Sequence, residues 1–188
     1  MEYRLRQYPR LAACGLSCGL CPRFHTEGVS RCPGCTGEGF SEKHPSCGHL
    51  SCAQRHEVEY CSRCVEYPCG RFEKAILFDS FITHRNMMQQ LEKLQASGEG
   101  TIQAELDEKV GALQVLLSSY DDGRRKSFFC TAVNLLDLPE VEFVIERLSG
   151  ETEGLPAREK ALAAARLLQA AADERGISLK LRKREGAK

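Results

Sequence analysis

Apolar residues recur at helical spacing from Arg71 onward and show no period before it. Phe72, Ala75 and Ile76 begin one stripe, and Met87, Met88, Leu91 and Leu94 continue one up to a break at Ser97-Gly98-Glu99-Gly100. Ile102, Leu106, Val110, Leu113 and Leu117 form the clearest stripe, which ends at the turn Asp121-Asp122-Gly123. Two more helices are predicted. SFFCTAVNLLDL stops at Pro139, which suits the first helical position of EVEFVIERL; Pro156 does the same for REKALAAARLLQAAADER, which Gly176 terminates. The final ISLKLRK alternates apolar and polar residues, a pattern compatible with a short strand before a basic tail. No internal repeat is present, and the helix lengths suit a compact bundle.

Residues 11–70 behave differently. They contain no Ile and no Met, and their Leu, Val and Phe are scattered. Turn formers dominate, as in CPGCTGEGF and KHPSCGH, so loops and knuckles are expected with at most short helical pieces around Leu50 to Tyr60. The predicted organisation is mainly α: a small irregular cysteine-rich module over 1–70, and an α-helical bundle over 71–188 with the short C-terminal strand as an addition. A length of 188 residues suits one domain, or one with a small appendage, and no third unit is needed.

Such a segment has too little apolar surface to fold by burial alone, and its cysteines supply the substitute. Ten of the eleven lie between Cys14 and Cys69; Cys130 stands apart. The N-terminus MEYRLRQYPRLAAC carries charges and a proline where a signal peptide needs an unbroken apolar stretch, and no apolar run is long enough to cross a bilayer. The expectation is therefore a cytoplasmic chain without membrane association, in whose reducing surroundings clustered thiols serve as metal ligands or redox groups rather than disulfides. One structural zinc contributes roughly 10–16 kcal/mol of folding free energy, against about 5–15 kcal/mol for the stability of whole domains. One or two metal sites would suffice.

The spacings divide the thiols. Cys18-Gly-Leu-Cys21, Cys32-Pro-Gly-Cys35 and Cys61-Ser-Arg-Cys64 are CxxC pairs, each able to present two thiolates to one ion, and two pairs make a tetrahedral zinc site. CPGCTG has the form of half a zinc ribbon, for which Cys61 and Cys64 are a well-spaced second half. Cys14, Cys18 and Cys21 together read CxxxCxxC, three thiolates from one tight loop, which also suits a [4Fe-4S] cluster; Pro22 directly after Cys21 is a frequent step in ferredoxin loops. It is also the spacing of radical S-adenosylmethionine enzymes, but the long βα barrel those enzymes need does not follow. Cys47, Cys52 and Cys69 are single thiols that can complete sites begun by the pairs. His44, His49 and His56 could each replace one, His49 best because CGHLSC places it between two cysteines. His25 and His84 carry no ligand spacing.

The order CGLSCGLCP, CPGC, two single cysteines, then YCSRCVEYPCGRFE resembles the cysteine-rich family known as domain of unknown function 3795, found in bacteria and archaea. The resemblance covers residues 14 to about 72, with ten cysteines, Pro22 and the Pro68-Cys69 step in place together. Longer members share a helical extension like DGRRKSFFC, here Asp122 to Cys130. The resemblance implies metal binding, often of zinc, by the cysteines, and implies no particular activity.

A second candidate for chemistry is DDGRRKSFFCTAVN. On a helix, Ser127, Asn134 and Asp137 share the face of Cys130, which makes Cys130 a weak candidate for a redox-active or substrate-facing thiol. Arg124, Arg125 and Lys126 precede that helix, where their charge and free N–H groups could bind an anion. Lys plus Arg equals Asp plus Glu at 26 each, and basic residues cluster only in the tail Lys180, Arg182, Lys183 and Arg184, so nucleic acid receives little support as a partner. No residue pattern supplies an obvious catalytic base. The function expected is that of a metal-binding protein, binding two zinc ions, with the module docked on a helical domain that recognises a protein or small-molecule partner. The alternatives are a [4Fe-4S] protein of electron transfer or redox chemistry, and a nucleic-acid-binding zinc ribbon.

Overall fold

The architecture follows from a computed structural model that describes residues 3–183. The chain forms two compact units, residues 3–106 with 181–183, and Asp107–Lys180. Residue 70, where the sequence changes character, lies inside the first unit.

The first unit carries three 3-10 turns, Cys18–Leu20, Gly28–Ser30 and Cys61–Arg63, and the short helices α1 (Phe40–Lys43), α2 (Gly48–Arg55) and α3 (Gly70–Ala75). The long helix α4 (Met87–Ser119) begins here and ends in the second unit. It breaks at Gly98, whose φ of 80° and ψ of 170° leave the helical region, where the Ser-Gly-Glu-Gly stretch predicted an interruption. An ion pair of 2.8 Å joins Lys93 and Glu105 on either side of the break.

The first half of α4 gives the cysteine-rich segment the core it cannot make itself. Met87, Leu91 and Ile102 are fully buried, as are Leu11, Leu20 and Tyr60 from the irregular part. The contact is close at Gly15: a Cβ there would lie 2.1 Å from the Met87 carbonyl oxygen and 2.9 Å from Leu91 Cγ, and its φ is +85°. Only glycine meets both demands. Two hydrogen bonds tie the same elements, from the Tyr8 hydroxyl to the Gln103 carbonyl (3.0 Å) and from the Gln95 amide to the Ser62 carbonyl (2.9 Å).

The alternating ISLKLRK segment forms no strand, and there is none among the described residues. A single extended segment needs a neighbouring strand for its backbone groups; here those of Arg182 are satisfied by Asp79. Its carboxylate accepts from the Arg182 backbone N–H (2.7 Å), from Arg182 Nη2 (2.8 Å) and from the His84 N–H (2.8 Å), and the Asp79 N–H donates to the Arg182 carbonyl (2.8 Å). Arg184, the last member of the basic tail cluster, lies outside the described residues.

In the second unit, the later part of α4 joins α5 (Lys126–Leu135), α6 (Leu138–Glu151) and α7 (Ala157–Glu174). The bundle expected from the stripes is present, with α7 packed on α5 and α6. Ala161, Ala164, Leu168 and Ala172 are buried along α7 at three- and four-residue spacing. Pro139 occupies the first turn of α6, Pro156 is the N-cap of α7, and Gly176 follows α7 with φ of +65°. The buried ammonium of Lys109 donates to the Leu136 carbonyl (2.7 Å) at the end of α5, where a cation complements the helix dipole. Among the described residues no helix is long and apolar enough to cross a membrane.

Two substitutions test the first unit. Gly15→Ala should destabilise it by well over the ~1 kcal/mol typical of a point change, because the methyl group meets backbone rather than a yielding side chain. Asp79→Asn should cost about 1.5–3 kcal/mol through the lost charge-assisted bonds, with denaturant unfolding as the measurement for both. Burial pushes the Asp79 carboxyl up, but the bonds from Arg182 and His84 outweigh it and hold it at about 2. Its contribution should therefore be intact above the ordinary carboxylate range and vanish as pH falls through about 2.

Candidate metal centre

The turn-rich stretch Pro9–Ala13 organises the cysteine loops without carrying a cysteine. Its carbonyls receive the N–H of Cys35 at Pro9 (2.7 Å), of Gly19 at Arg10 (2.8 Å) and of Cys61 at Ala13 (2.7 Å). Three knuckles distant in sequence are thereby hung on five residues. The Cys32–Cys35 knuckle comes so close that a Cβ on Gly34 would sit 2.4 Å from the Pro9 carbonyl oxygen. Within the knuckles, Cys21 N–H returns to the Cys18 carbonyl (3.1 Å) and Cys64 N–H to that of Cys61 (3.0 Å), so the two thiols of each pair start from one turn. Backbone N–H groups point at sulfur as well: Leu16 at Cys14, Arg23 and Phe24 at Cys21, Ala13 at Cys35.

The ten clustered thiols are distributed over two cavities. Cys14, Cys18, Cys21, Cys32, Cys35 and Cys47 line the larger, of about 300 Å³. Cys52, Cys61, Cys64 and Cys69 line the smaller, of about 20 Å³, which has room for one water-sized group. The ribbon suggested by spacing, Cys32 and Cys35 with Cys61 and Cys64, is thus not brought to one cavity. The first two CxxC pairs share a cavity, while the third meets Cys52 from α2 and Cys69 at the start of α3. Among the described residues, no three His, Cys, Asp or Glu side chains stand together at metal-holding separation, so the thiols surround the cavities without converging on a point.

The electrostatics of these walls are severe. Burial pushes the thiols of Cys14 and Cys18 well above their ordinary value of 9.0, and neighbouring cysteines add to the effect. Cys35 is pushed up to about 11 by burial, despite Arg6, which favours its thiolate. Cys61 rises to about 12, through burial and then Cys52, Cys69 and Cys64. Arg6 lies over the Tyr60 ring at 4.4 Å and is paired with Glu59 at 3.2 Å. Every added thiolate opposes the others, so Cys14, Cys18, Cys35 and Cys61 stay protonated unless a cation enters. Cysteine is a metal ligand as thiolate, and a bound ion reverses the shift; the donor set fits a thiophilic cation on these grounds.

His49 of α2 lines both cavities, and its buried Nδ1 has no hydrogen-bond partner. Burial, then Arg71 and His84, lower its pKa and keep the ring neutral, as a ligand must be. His25, His44 and His84 are engaged. His44 stacks on Phe40 at 4.7 Å and donates from Nδ1 to the Pro45 carbonyl (2.7 Å), and His25 bonds the Gly19 carbonyl (2.7 Å). His56 is exposed beside the smaller cavity. His84, which has no ligand spacing in sequence, nevertheless lines the larger cavity with Phe81, Ile82 and Met87; it donates from Nδ1 to the Ala75 carbonyl (2.8 Å) and accepts from Ser80 at Nε2 (3.0 Å). The sequence signal for that wall was only an apolar stripe in what read as another domain.

Cys130 belongs to the second unit and is 2% exposed, on a stretch of α5 buried from Phe129 to Asn134. Of the stripe that reads as polar in sequence, Cys130 and Asn134 are buried, while Ser127 and Asp137 are exposed. At the start of α5 the chain supplies its own anions: Asp121 accepts from the N–H of Gly123 (3.2 Å) and Arg125 (3.0 Å), Asp122 accepts from the N–H of Arg124 (3.2 Å), and the Arg125 side chain pairs with Asp122.

Ten thiols held on two cavities by one short backbone stretch define a cysteine-rich module. Residues 10–74 match the model of the family described as "Protein of unknown function (DUF3795)", the family whose order of cysteines this segment resembles. The match covers about a third of the chain and stops before the Asp122–Cys130 stretch. No curated protein and no solved structure matches the chain.

The raised thiol values have a measurable consequence. For metal-free, reduced protein, stability should be complete below about 9, the ordinary thiol value, and fall as pH rises toward about 12, because the unfolded chain releases these protons first. Saturating zinc should abolish that decline; denaturant unfolding across the range, with and without zinc, is the check.

Proposed function

We propose that residues 14–69 form a cysteine-coordinated metal-binding module whose preferred ion is zinc, acting in binding or regulation rather than in catalysis. The observation that supports this reading most is that Cys52, Cys61, Cys64 and Cys69 line one small cavity. Cys52, Cys61, Cys64 and Cys69 would complete a tetrahedral S₄ site with no open position, the pattern of structural zinc. The ion supplies cross-linking between α2, the Cys61–Cys64 turn and α3. The protein's own part is to hold these thiols by the Ala13 and Cys61 backbone bond, and to exclude water with Phe72 and Tyr67, whose rings meet edge to face at 5.2 Å.

The larger cavity would hold the second centre. Zinc is the reading continuous with the first, and a [4Fe-4S] cluster is the alternative, which one observation favours: Cys14, Cys18 and Cys21, the triplet with cluster spacing, line a cavity far wider than one ion needs.

Anaerobic purification followed by an absorption spectrum and elemental analysis decides between them. A colourless protein with about two or more zinc ions per chain is expected; a brown protein with iron and sulfide would replace zinc by the cluster in the larger cavity. Chelation should lower the stability of the first unit, since metal binding there adds to folding free energy. Unchanged stability after removal of metal would count against the module altogether.

A further inference from the structure

We infer that the larger cavity is a binding site for a small uncharged organic molecule, a two-ring aromatic carrying a single hydrogen-bonding group. The inference goes beyond the metal-binding reading above and does not depend on it.

Room is the first observation. An apolar cavity of about 150 Å³ takes benzene, and small-molecule sites begin at about 300 Å³; the larger cavity measures about 300 Å³. An ion needs little of that volume, since the smaller cavity, with four thiols on about 20 Å³, already has room for a water-sized group.

The walls select the chemistry. Leu16, Phe40, Leu50, Phe81, Ile82 and Met87 line the cavity with apolar side chains. The rings of Phe40 and His44, both in that lining, stack at 4.7 Å and 15°, and the Met87 thioether and the thiols are polarizable groups that favour aromatic edges. Among the described residues no Asp, Glu or Lys lines the cavity. Its guanidinium, Arg23, is already committed: Nη2 donates to the Lys43 carbonyl (3.1 Å), and the group lies 5.4 Å from the centroid of the Phe81 ring. A charged ligand would give up its hydration for a wall without a ready counter-ion, so an uncharged one is favoured.

The polar anchor is His49. It lines the cavity, and its buried Nδ1 has no hydrogen-bond partner in the protein. Such an atom costs free energy until it is paired, and a hydroxyl, which both donates and accepts, matches an imidazole nitrogen in either tautomer. Phe81 lines the cavity while remaining 64% exposed. It therefore stands at the mouth, where an entering ring meets an aromatic face before reaching the interior.

Fluorescence titration of 2-naphthol with the full chain, purified anaerobically with its metal, tests this; the chain has no Trp, so the emission of the probe is read apart from that of the protein. Saturable one-to-one binding is expected. Naphthalene, which lacks the hydroxyl, should bind about tenfold more weakly, and 2-naphthoate, which is charged, more weakly by about tenfold or more. Phe81→Ala changes an exposed position and should weaken 2-naphthol about tenfold. His49→Leu should reduce 2-naphthol to the level of naphthalene and leave naphthalene unchanged. Absence of saturable binding, or binding indifferent to both substitutions, overturns the site, and tighter binding of 2-naphthoate than of 2-naphthol overturns the uncharged class. Metal content of the same samples keeps the two readings apart: a zinc-loaded chain that ignores 2-naphthol sinks this inference alone, whereas a chain that binds 2-naphthol as expected but takes up no metal supports it and sinks the metal module.

Discussion

Thiols gathered in a protein interior are tolerated as neutral groups, and as anions only around a cation. Ten of them here are placed on two cavities in one unit, where burial and mutual repulsion push Cys35 to about 11 and Cys61 to about 12. The remaining features of the first unit follow from keeping that concentration of sulfur out of water. The loops are short and turn-rich, backbone N–H groups are aimed at sulfur, and the apolar cover comes from a helix that begins after the cysteines end.

That helix explains how so poor a segment holds together. Burying a Leu or Met side chain is worth about 1.5–3 kcal/mol, and Met87, Leu91, Leu94 and Ile102 of α4 are all buried in the unit that contains the cysteines. Gly15 marks where the loop touches α4, with no space for a side chain. Apolar packing and the thiol cavities are therefore two supports of one unit, and Met87 belongs to both, since it also lines the larger cavity.

Much of the fold was legible in the sequence because its signals are local. The break at Gly98, the helix entry at Pro139, the stop at Gly176 and the loop character of 14–39 each depend on neighbours a few residues away. The candidate site was legible as a list of cysteines and, through CGHLSC, as His49. Its partition was not. CPGCTG and CSRC have compatible spacing, yet the Pro9 and Ala13 carbonyls hold their knuckles at different cavities. Backbone carbonyls leave no mark in a sequence. The stripe of Cys130 was legible only in part for a related reason: helical spacing shows which residues travel together, but that Cys130 and Asn134 are buried while Ser127 and Asp137 are exposed depends on what covers them.

The sequence by itself determined which elements form and which side chains are available as ligands, because helical periodicity, turn chemistry and CxxC geometry act over a single turn of chain. Only the tertiary structure decided which thiols share a cavity, that α4 supplies their cover, and that residue 70 is no boundary between compact units. Those outcomes depend on contacts between residues tens of positions apart, made largely by backbone groups that every residue type possesses.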